Sequence, residues 1–260
     1  MKKWFYLLIM VLTFSLLASC GTSNSESKSD EEKKEVLVMG TSADYAPFEY
    51  IDTAKGSDII GIDVDIAKAI TERLGYELEI QDMDFNGLIP ALQSNKVDFV
   101  LAGMSVTPER KESVDFSDVY YSAKHMIVSK ADSGIQTVED LEGKTVGVQL
   151  ASVQEEKANE IAETINVTVE NRNRISEVIQ EIKSGRFDAA IIEDSVAKGY
   201  LEKDADLQGF VIEEENAEEN GYAIAFPKGS ELTEKFNEEL QKMKESGELE
   251  EILVKWFDGE

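Results

Sequence analysis

Thr145-Val-Gly-Val-Gln-Leu-Ala-Ser-Val-Gln-Glu-Glu-Lys157 changes periodicity within one turn of chain. The apolar run Thr145–Val148 reads as a buried strand. Ser152, followed three residues later by Glu155, is the signature of a helix N-terminus: the hydroxyl takes one unpaired backbone N–H and the carboxylate another. The helix is expected around Val153–Ala162. A strand feeding a helix through a short loop is the repeating unit of an α/β fold.

The same alternation extends in both directions. Downstream, Ile175, Val178, Ile179 and Ile182 share a helix face, and Ala189–Ile192 forms the next strand. Ala223–Phe226 is one more strand, and the last helix carries Leu232, Phe236, Leu240 and Met243. Gly247 separates it from Leu249, Ile252, Leu253 and Trp256. Upstream, Met126–Val128 is a strand. Before it, Val36–Met39 is followed by Ile60–Val64, which leads into a helix with Ile66, Ile70 and Leu74 on one stripe, stopped by Gly75. Leu78 and Ile80 alternate as a strand, Leu88, Ala91 and Leu92 mark a helix, and Val97–Leu101 is buried strand. Pro108 opens a further helix at its favoured first position. No internal repeat of 20–50 residues is found. Two α/β lobes with largely parallel sheets and a cleft between them are expected.

Composition narrows the function. The 260 residues carry 26 Lys and Arg against 53 Asp and Glu, a net charge of −27. So acidic a surface repels phosphate backbones and excludes nucleic acid as a partner. One Cys (Cys20) and one His (His125) exclude intrachain disulfides, CxxC centres, Cys/His zinc sites and HExxH proteases. No metal or cofactor is expected.

Lys2 and Lys3 precede an uncharged apolar stretch from Trp4 to Ser19, shorter than a membrane span and typical of a signal peptide over 1–19. It ends Leu17-Ala18-Ser19-Cys20, which resembles the lipobox of bacterial lipoproteins and implies diacylglycerol on Cys20. Cleavage there removes two lysines and no acid, moving the charge from −27 to −29. The Ser-rich polar stretch over 20–35 reads as a flexible tether. The resulting picture is a body held by lipid at the outer face of a cell membrane.

Open α/β sheets bind ligands beyond the carboxyl ends of their strands. Residues there that local stability leaves unexplained are the site candidates. Arg110 stands in the first turn of a helix, where the macrodipole favours anions. Its guanidinium fork suits a carboxylate ligand, with pairing to Glu109 or Glu112 as the bland alternative. The helix start at Ser152 offers free N–H groups to an anion, or merely caps its helix. Glu193-Asp194 follows a strand and could hold an ammonium, unless Asp194 only caps the next helix. Tyr45, Phe48 and Phe85 follow strands and supply aromatic walls, Phe48 being the one best assigned to the core. His125, on an apolar strand, reads as structural.

Longer motifs carry a resemblance. Gly40-Thr-Ser-Ala-Asp-Tyr-Ala-Pro-Phe-Glu-Tyr50, Gly61-Ile-Asp-Val-Asp-Ile-Ala67 and Met83-Asp-Phe-Asn-Gly-Leu-Ile-Pro-Ala-Leu92 resemble the polar amino-acid-binding proteins of ABC importers. So do Leu101-Ala-Gly-Met-Ser-Val-Thr-Pro-Glu-Arg-Lys111, Val114-Asp-Phe-Ser-Asp118, Ala225-Phe-Pro-Lys-Gly-Ser230 and Lys255-Trp-Phe257. Gly147-Val-Gln-Leu150, Gln154-Glu-Glu-Lys157, Asn171-Arg-Asn-Arg-Ile-Ser176 and Phe187-Asp-Ala-Ala-Ile-Ile-Glu-Asp194 are similar to arginine-binding lipoproteins of Gram-positive bacteria.

The resemblance implies a two-lobe periplasmic-binding-protein-like fold of type II, its lobes joined by two crossing hinge strands. Lobe 1 would be 36–121 plus 222–260, and lobe 2 would be 122–221. It implies a monomer that captures a free amino acid and passes it to a membrane permease with its ATPase. Position by position, Arg110 grips the α-carboxylate with Ser105 and Ser152, while Asp194 and the Gly103 carbonyl receive the α-ammonium. Tyr45 and Phe85 sandwich the side chain. Ser42 stands where many relatives carry an Asp, so Glu49 and Gln154 become the candidates for the distal end, with Glu193 after them. Val153 replaces a frequent Thr and offers only its backbone N–H.

Glu49, Glu193 and Asp194 against Arg110 predict a cationic side chain: arginine first, then lysine or ornithine, with glutamine or histidine as alternatives. Two rivals remain in view. A cyclohexadienyl-dehydratase-like enzyme could share the fold, but no second acid–base partner is apparent. A receptor sensor domain would need a membrane span and cytoplasmic output, which this chain lacks.

Overall fold

The computed structural model describes residues 34–54, 56–213 and 221–257. The expected signal peptide, Cys20 and nearly all of the tether lie outside the described residues.

The chain begins with β1 (Val36–Thr41), the short β2 (Asp44–Tyr45), β3 (Glu49–Ile51) and β4 (Ile59–Ile60), then α1 (Ile62–Leu74). β5 (Glu77–Asp82), α2 (Leu88–Gln93), β6 (Phe99–Val100), α3 (Pro108–Ser113) and β7 (Val114–Phe116) follow. β8 (Tyr121–Ser122) leads to β9 (His125–Lys130), β10 (Thr145–Gln149), α4 (Val153–Ala162) and β11 (Thr168–Arg172). Next come α5 (Ile175–Ser184), β12 (Ala189–Glu193), α6 (Asp194–Leu201) and β13 (Leu207–Val211). The chain returns through β14 (Gly221–Tyr222) to β15 (Ala225–Pro227), α7 (Leu232–Ser246) and α8 (Glu248–Phe257).

Two five-stranded sheets result, in the orders β5-β1-β6-β15-β7 and β11-β10-β12-β9-β13. Each is parallel only across its first three strands. β15 runs antiparallel to β6 and β7, and β9 runs antiparallel to β12 and β13. Four of the five strands in each sheet still run in one direction, so the expectation of largely parallel sheets needs correcting only at the reversed fourth strand. The chain enters each lobe's fourth strand through a hinge segment rather than through a crossover helix, and only a crossover returns a strand in parallel. β8 pairs with β14, Tyr121 opposite Tyr222, so the two passages between the lobes are hydrogen-bonded to each other.

Local sequence explains the elements that hold the site. In α1, Ile62, Ile66 and Ile70 are fully buried on one stripe, and Gly75 ends the helix in the left-handed conformation. Burying each such side chain contributes about 1.5–3 kcal/mol. A side chain at Gly61 would run into the Phe48 carbonyl, which fixes how closely α1 approaches the β2–β3 hairpin. In α5, Ile175, Val178, Ile179 and Ile182 are all buried, as their spacing predicts. α3 starts with Pro108 behind Thr107, whose Oγ1 accepts the Arg110 N–H at 3.1 Å. Among the described residues, no helix is long and apolar enough to cross a membrane.

Candidate functional site

A cavity with an empty volume of about 310 Å³ opens where the carboxyl ends of β1, β6, β10 and β12 converge. Of the residues expected at the site, Ser42, Tyr45, Glu49, Phe85, Gly103, Ser105, Arg110, Ser152, Val153 and Gln154 line it. Ala102, Gln149 and Glu193 complete the lining; Asp194 is not part of it.

Arg110 is 8% exposed, although it belongs to a short helix that begins at the surface. Its guanidinium donates to the Ser105 carbonyl at 2.7 Å and to the Ala151 carbonyl at 2.9 Å, and lies 5.4 Å above the Phe85 ring. Burial lowers its pKa, with Glu156 and Glu109 opposing the shift at longer range. Arginine stays protonated even so. The cavity therefore holds a buried cation whose contacts are neutral carbonyls and a ring face. An anionic ligand group is what it lacks.

Facing it is the start of α4. Ser152 Oγ accepts the Glu155 N–H at 3.2 Å and donates to the Gln149 carbonyl at 2.7 Å. The Glu155 carboxylate reaches the N–H of Ala151 rather than that of Ser152. Ala151 has a φ of 62°, and this left-handed residue is what offsets the box by one position. It also aims the Ala151 carbonyl at Arg110 across the cleft.

The acid at the end of β12 is the main correction to the sequence reading. Glu193, the last strand residue, is 1% exposed and lines the cavity, with Oε1 accepting from Gln154 Nε2 at 2.7 Å. Asp194 begins α6 and turns away. One of its carboxylate oxygens takes the Lys124 N–H at 3.0 Å and the other pairs with Lys198, one turn along the helix. The strand-to-helix junction explains the exchange, because successive residues there project in different directions. Gln154 is thereby engaged by Glu193 rather than left for a ligand's far end.

Glu49 also lines the cavity and is 1% exposed, and its Oε2 takes no hydrogen bond from a neutral or cationic protein donor. Behind it lies Asp63, fully buried in the first turn of α1. Asp63 accepts the Gly103 N–H at 2.9 Å and the Tyr120 hydroxyl at 2.7 Å. Burial, then the charge of and hydrogen bond with Asp63, push the Glu49 carboxyl well above its ordinary pKa. Burial raises Asp63 to about 6, opposed by its three hydrogen bonds, from Gly103, Tyr120 and Glu49. Asp63 gives no signal in the sequence, because an acid in a helix's first turn is already explained by the macrodipole. Gly103 has a φ of 52°, and a Cβ there would lie 3.0 Å from the Tyr45 ring, so glycine is required on both counts.

The cleft mouth carries a different set of contacts. Arg174, just before α5, forms a fork on Asp82 at 2.8 and 3.2 Å and meets Asp84 at 2.8 Å. Asn173 donates to Asp84, and the Ser176 N–H and hydroxyl both reach Asp44 at 2.8 Å. These pairs join residues about the second sheet to residues about the first, and the lobes are closed on each other.

Residues 37–259 match the bacterial extracellular solute-binding proteins, family 3. The chain belongs to that family. Over the whole of both chains this solute-binding protein is 60% identical to the arginine-binding extracellular protein ArtP of Bacillus subtilis (strain 168). An ancestral arginine-binding protein solved with arginine bound is 42% identical with a TM-score of 0.78, covering 86% of this chain and 99% of its own. The substrate-binding protein AbpA of Streptococcus pneumoniae, solved with L-arginine, is 37% identical with a TM-score of 0.79, covering 86% and 94%. AbpA is the substrate-binding protein of an amino-acid ABC transporter.

Proposed function

We propose that this protein captures free L-arginine, and more weakly lysine or ornithine, outside the cell and delivers it to an ABC permease with its ATPase. The observation that carries the reading is the charge content of one small cavity: Arg110, Glu193 and Glu49 all line it, and all three are buried. Arg110, with the Ser105 and Ser152 region, takes the α-carboxylate through charge-assisted hydrogen bonds. Glu193, not Asp194, takes the α-ammonium together with the Gly103 carbonyl. Once the zwitterionic head is matched, Glu49 remains for a cationic side chain lying along Tyr45 and Phe85, since a guanidinium stacks well on rings. The arginine-binding relatives support this choice of ligand. In this reading the protein performs no catalysis, and lobe 1 (36–121 plus 222–260) closes on lobe 2 (122–221) as the ligand enters.

Calorimetric titration with the twenty amino acids and ornithine tests the ligand. Arginine should bind at one site and most tightly; stronger binding of glutamine or histidine would refute the reading. Anchoring through diacylglycerol on Cys20 belongs to the same proposal. Mass spectrometry of membrane-extracted protein should find a lipid-modified Cys20 as the first residue, and an intact Met1 end would count against it.

A further inference from the structure

We infer that Glu49 and Asp63 form a carboxyl pair holding a single proton, and that this proton leaves when a cationic ligand side chain reaches Glu49. The inference rests on reading the cavity as a site for cationic amino acids.

The geometry supplies the reasons. Both carboxyls are buried, 1% and 0% exposed, and hydrogen-bonded to each other. Two carboxylates in such contact away from water cannot both ionise. The pair titrates as a unit, one proton being held over a wide pH range. Its partners decide where that proton sits. Asp63 is already served by two donors, the Gly103 N–H and the Tyr120 hydroxyl, which favour its ionised form. Glu49 therefore carries the proton and donates it to Asp63, and its buried Oε2 takes no hydrogen bond from any other protein donor. The pKa directions agree: Glu49 is pushed well above its ordinary value and Asp63 less far.

The surrounding groups do not supply a cation. Asp44 and Tyr45 face the pair from the β2–β3 hairpin, Asp82 from β5 and Tyr120 from the segment before β8, with Tyr222 of β14 against Tyr45 and Tyr120. Glu193 lies across the cavity on β12, hydrogen-bonded to Gln154. Arg174 is held by Asp82 and Asp84 at the mouth. Among the described residues that line the cavity Arg110 is the one cation, and two of its N–H groups are donated to the Ser105 and Ala151 carbonyls. A guanidinium or ammonium arriving at Glu49 would be the first close positive charge. It lowers the Glu49 pKa, the O–H bond breaks, and the proton passes to solvent while the carboxylate pairs with the ligand.

The sign follows from that order. The free protein holds the proton because its Glu49 pKa is raised, and the complex does not. Between the two pKa values binding expels a proton, so arginine affinity rises with pH, by up to about tenfold per unit. L-Citrulline, neutral and nearly isosteric with arginine, has no such effect.

Titrating the protein with L-arginine near neutral pH, in buffers of differing ionisation enthalpy, measures the protons released. The inference expects a value approaching about one per arginine, with affinity climbing as pH rises. Asp63→Asn removes the neighbouring carboxylate but not the burial that also raises Glu49, so the same titration should show a smaller release and a shallower pH dependence. Arginine bound by wild type with no release and a flat pH profile would overturn the inference while leaving the ligand assignment standing. Equal release with citrulline, or undiminished release in Asp63→Asn, would also overturn it. Absence of arginine binding at every pH would instead bring down the ligand assignment, and the carboxyl pair with it.

Discussion

The floor and the mouth of the cleft use the same kinds of side chain to opposite ends. At the mouth, Arg174 meets Asp82 and Asp84 with side chains 21%, 37% and 45% exposed, and each charge has its partner within the protein. On the floor, Arg110, Glu49 and Glu193 are nearly sealed from water, yet Arg110 faces carbonyls and Glu49 faces an acid. Exposed pairs gain little because water competes and side chains must be ordered. Buried unmatched charges cost stability, and that cost is returned only when a ligand of complementary charge arrives. On the proposed reading, the mouth shapes the closed state and the floor supplies the affinity and the selection.

The largest test of this contrast is Arg110→Ala. Removing one member of a buried charge pair strands the other, so the variant should lose about 3–5 kcal/mol of arginine binding by calorimetry. A loss below about 1 kcal/mol would place the carboxylate elsewhere.

A sharper test sets neighbouring acids against each other. Glu193→Gln should cost about 1.5–3 kcal/mol of affinity, the worth of a hydrogen bond to a charged group. Asp194→Asn should change it by less than about 0.5 kcal/mol, as for a surface substitution. The reverse ranking would restore Asp194 as the ammonium acceptor.

The smallest expected effect is at the mouth. Arg174→Ala should weaken arginine binding by no more than about 1 kcal/mol, and by still less as salt is raised. A loss matching that of Arg110→Ala would show that closure, not the floor, dominates affinity.

The sequence made the fold legible wherever periodicity and local caps coincide. Val153–Ala162 and the start of α3 fall where their Ser152 and Pro108 signals put them, because helix ends are decided by residues a few positions apart. Arg110 was legible for the opposite reason, being a cation where the local dipole disfavours one. Glu193 was harder. Both faces of β12 are buried, with Ala189 and Ile191 in one core cluster and Ala190 and Ile192 in another, so alternation could not tell which acid turns inward. Asp63 and the Arg174 fork depend on partners tens of residues away, and no local pattern signals such contacts.

A crystal structure of the protein with L-arginine tests the central claim most directly. The ligand carboxylate should lie on the Arg110 guanidinium, its ammonium on Glu193, and its guanidinium against Glu49 with Tyr45 alongside. An arginine bound the other way round, or an ammonium held by Asp194 with Glu193 still turned to Gln154, would contradict the account.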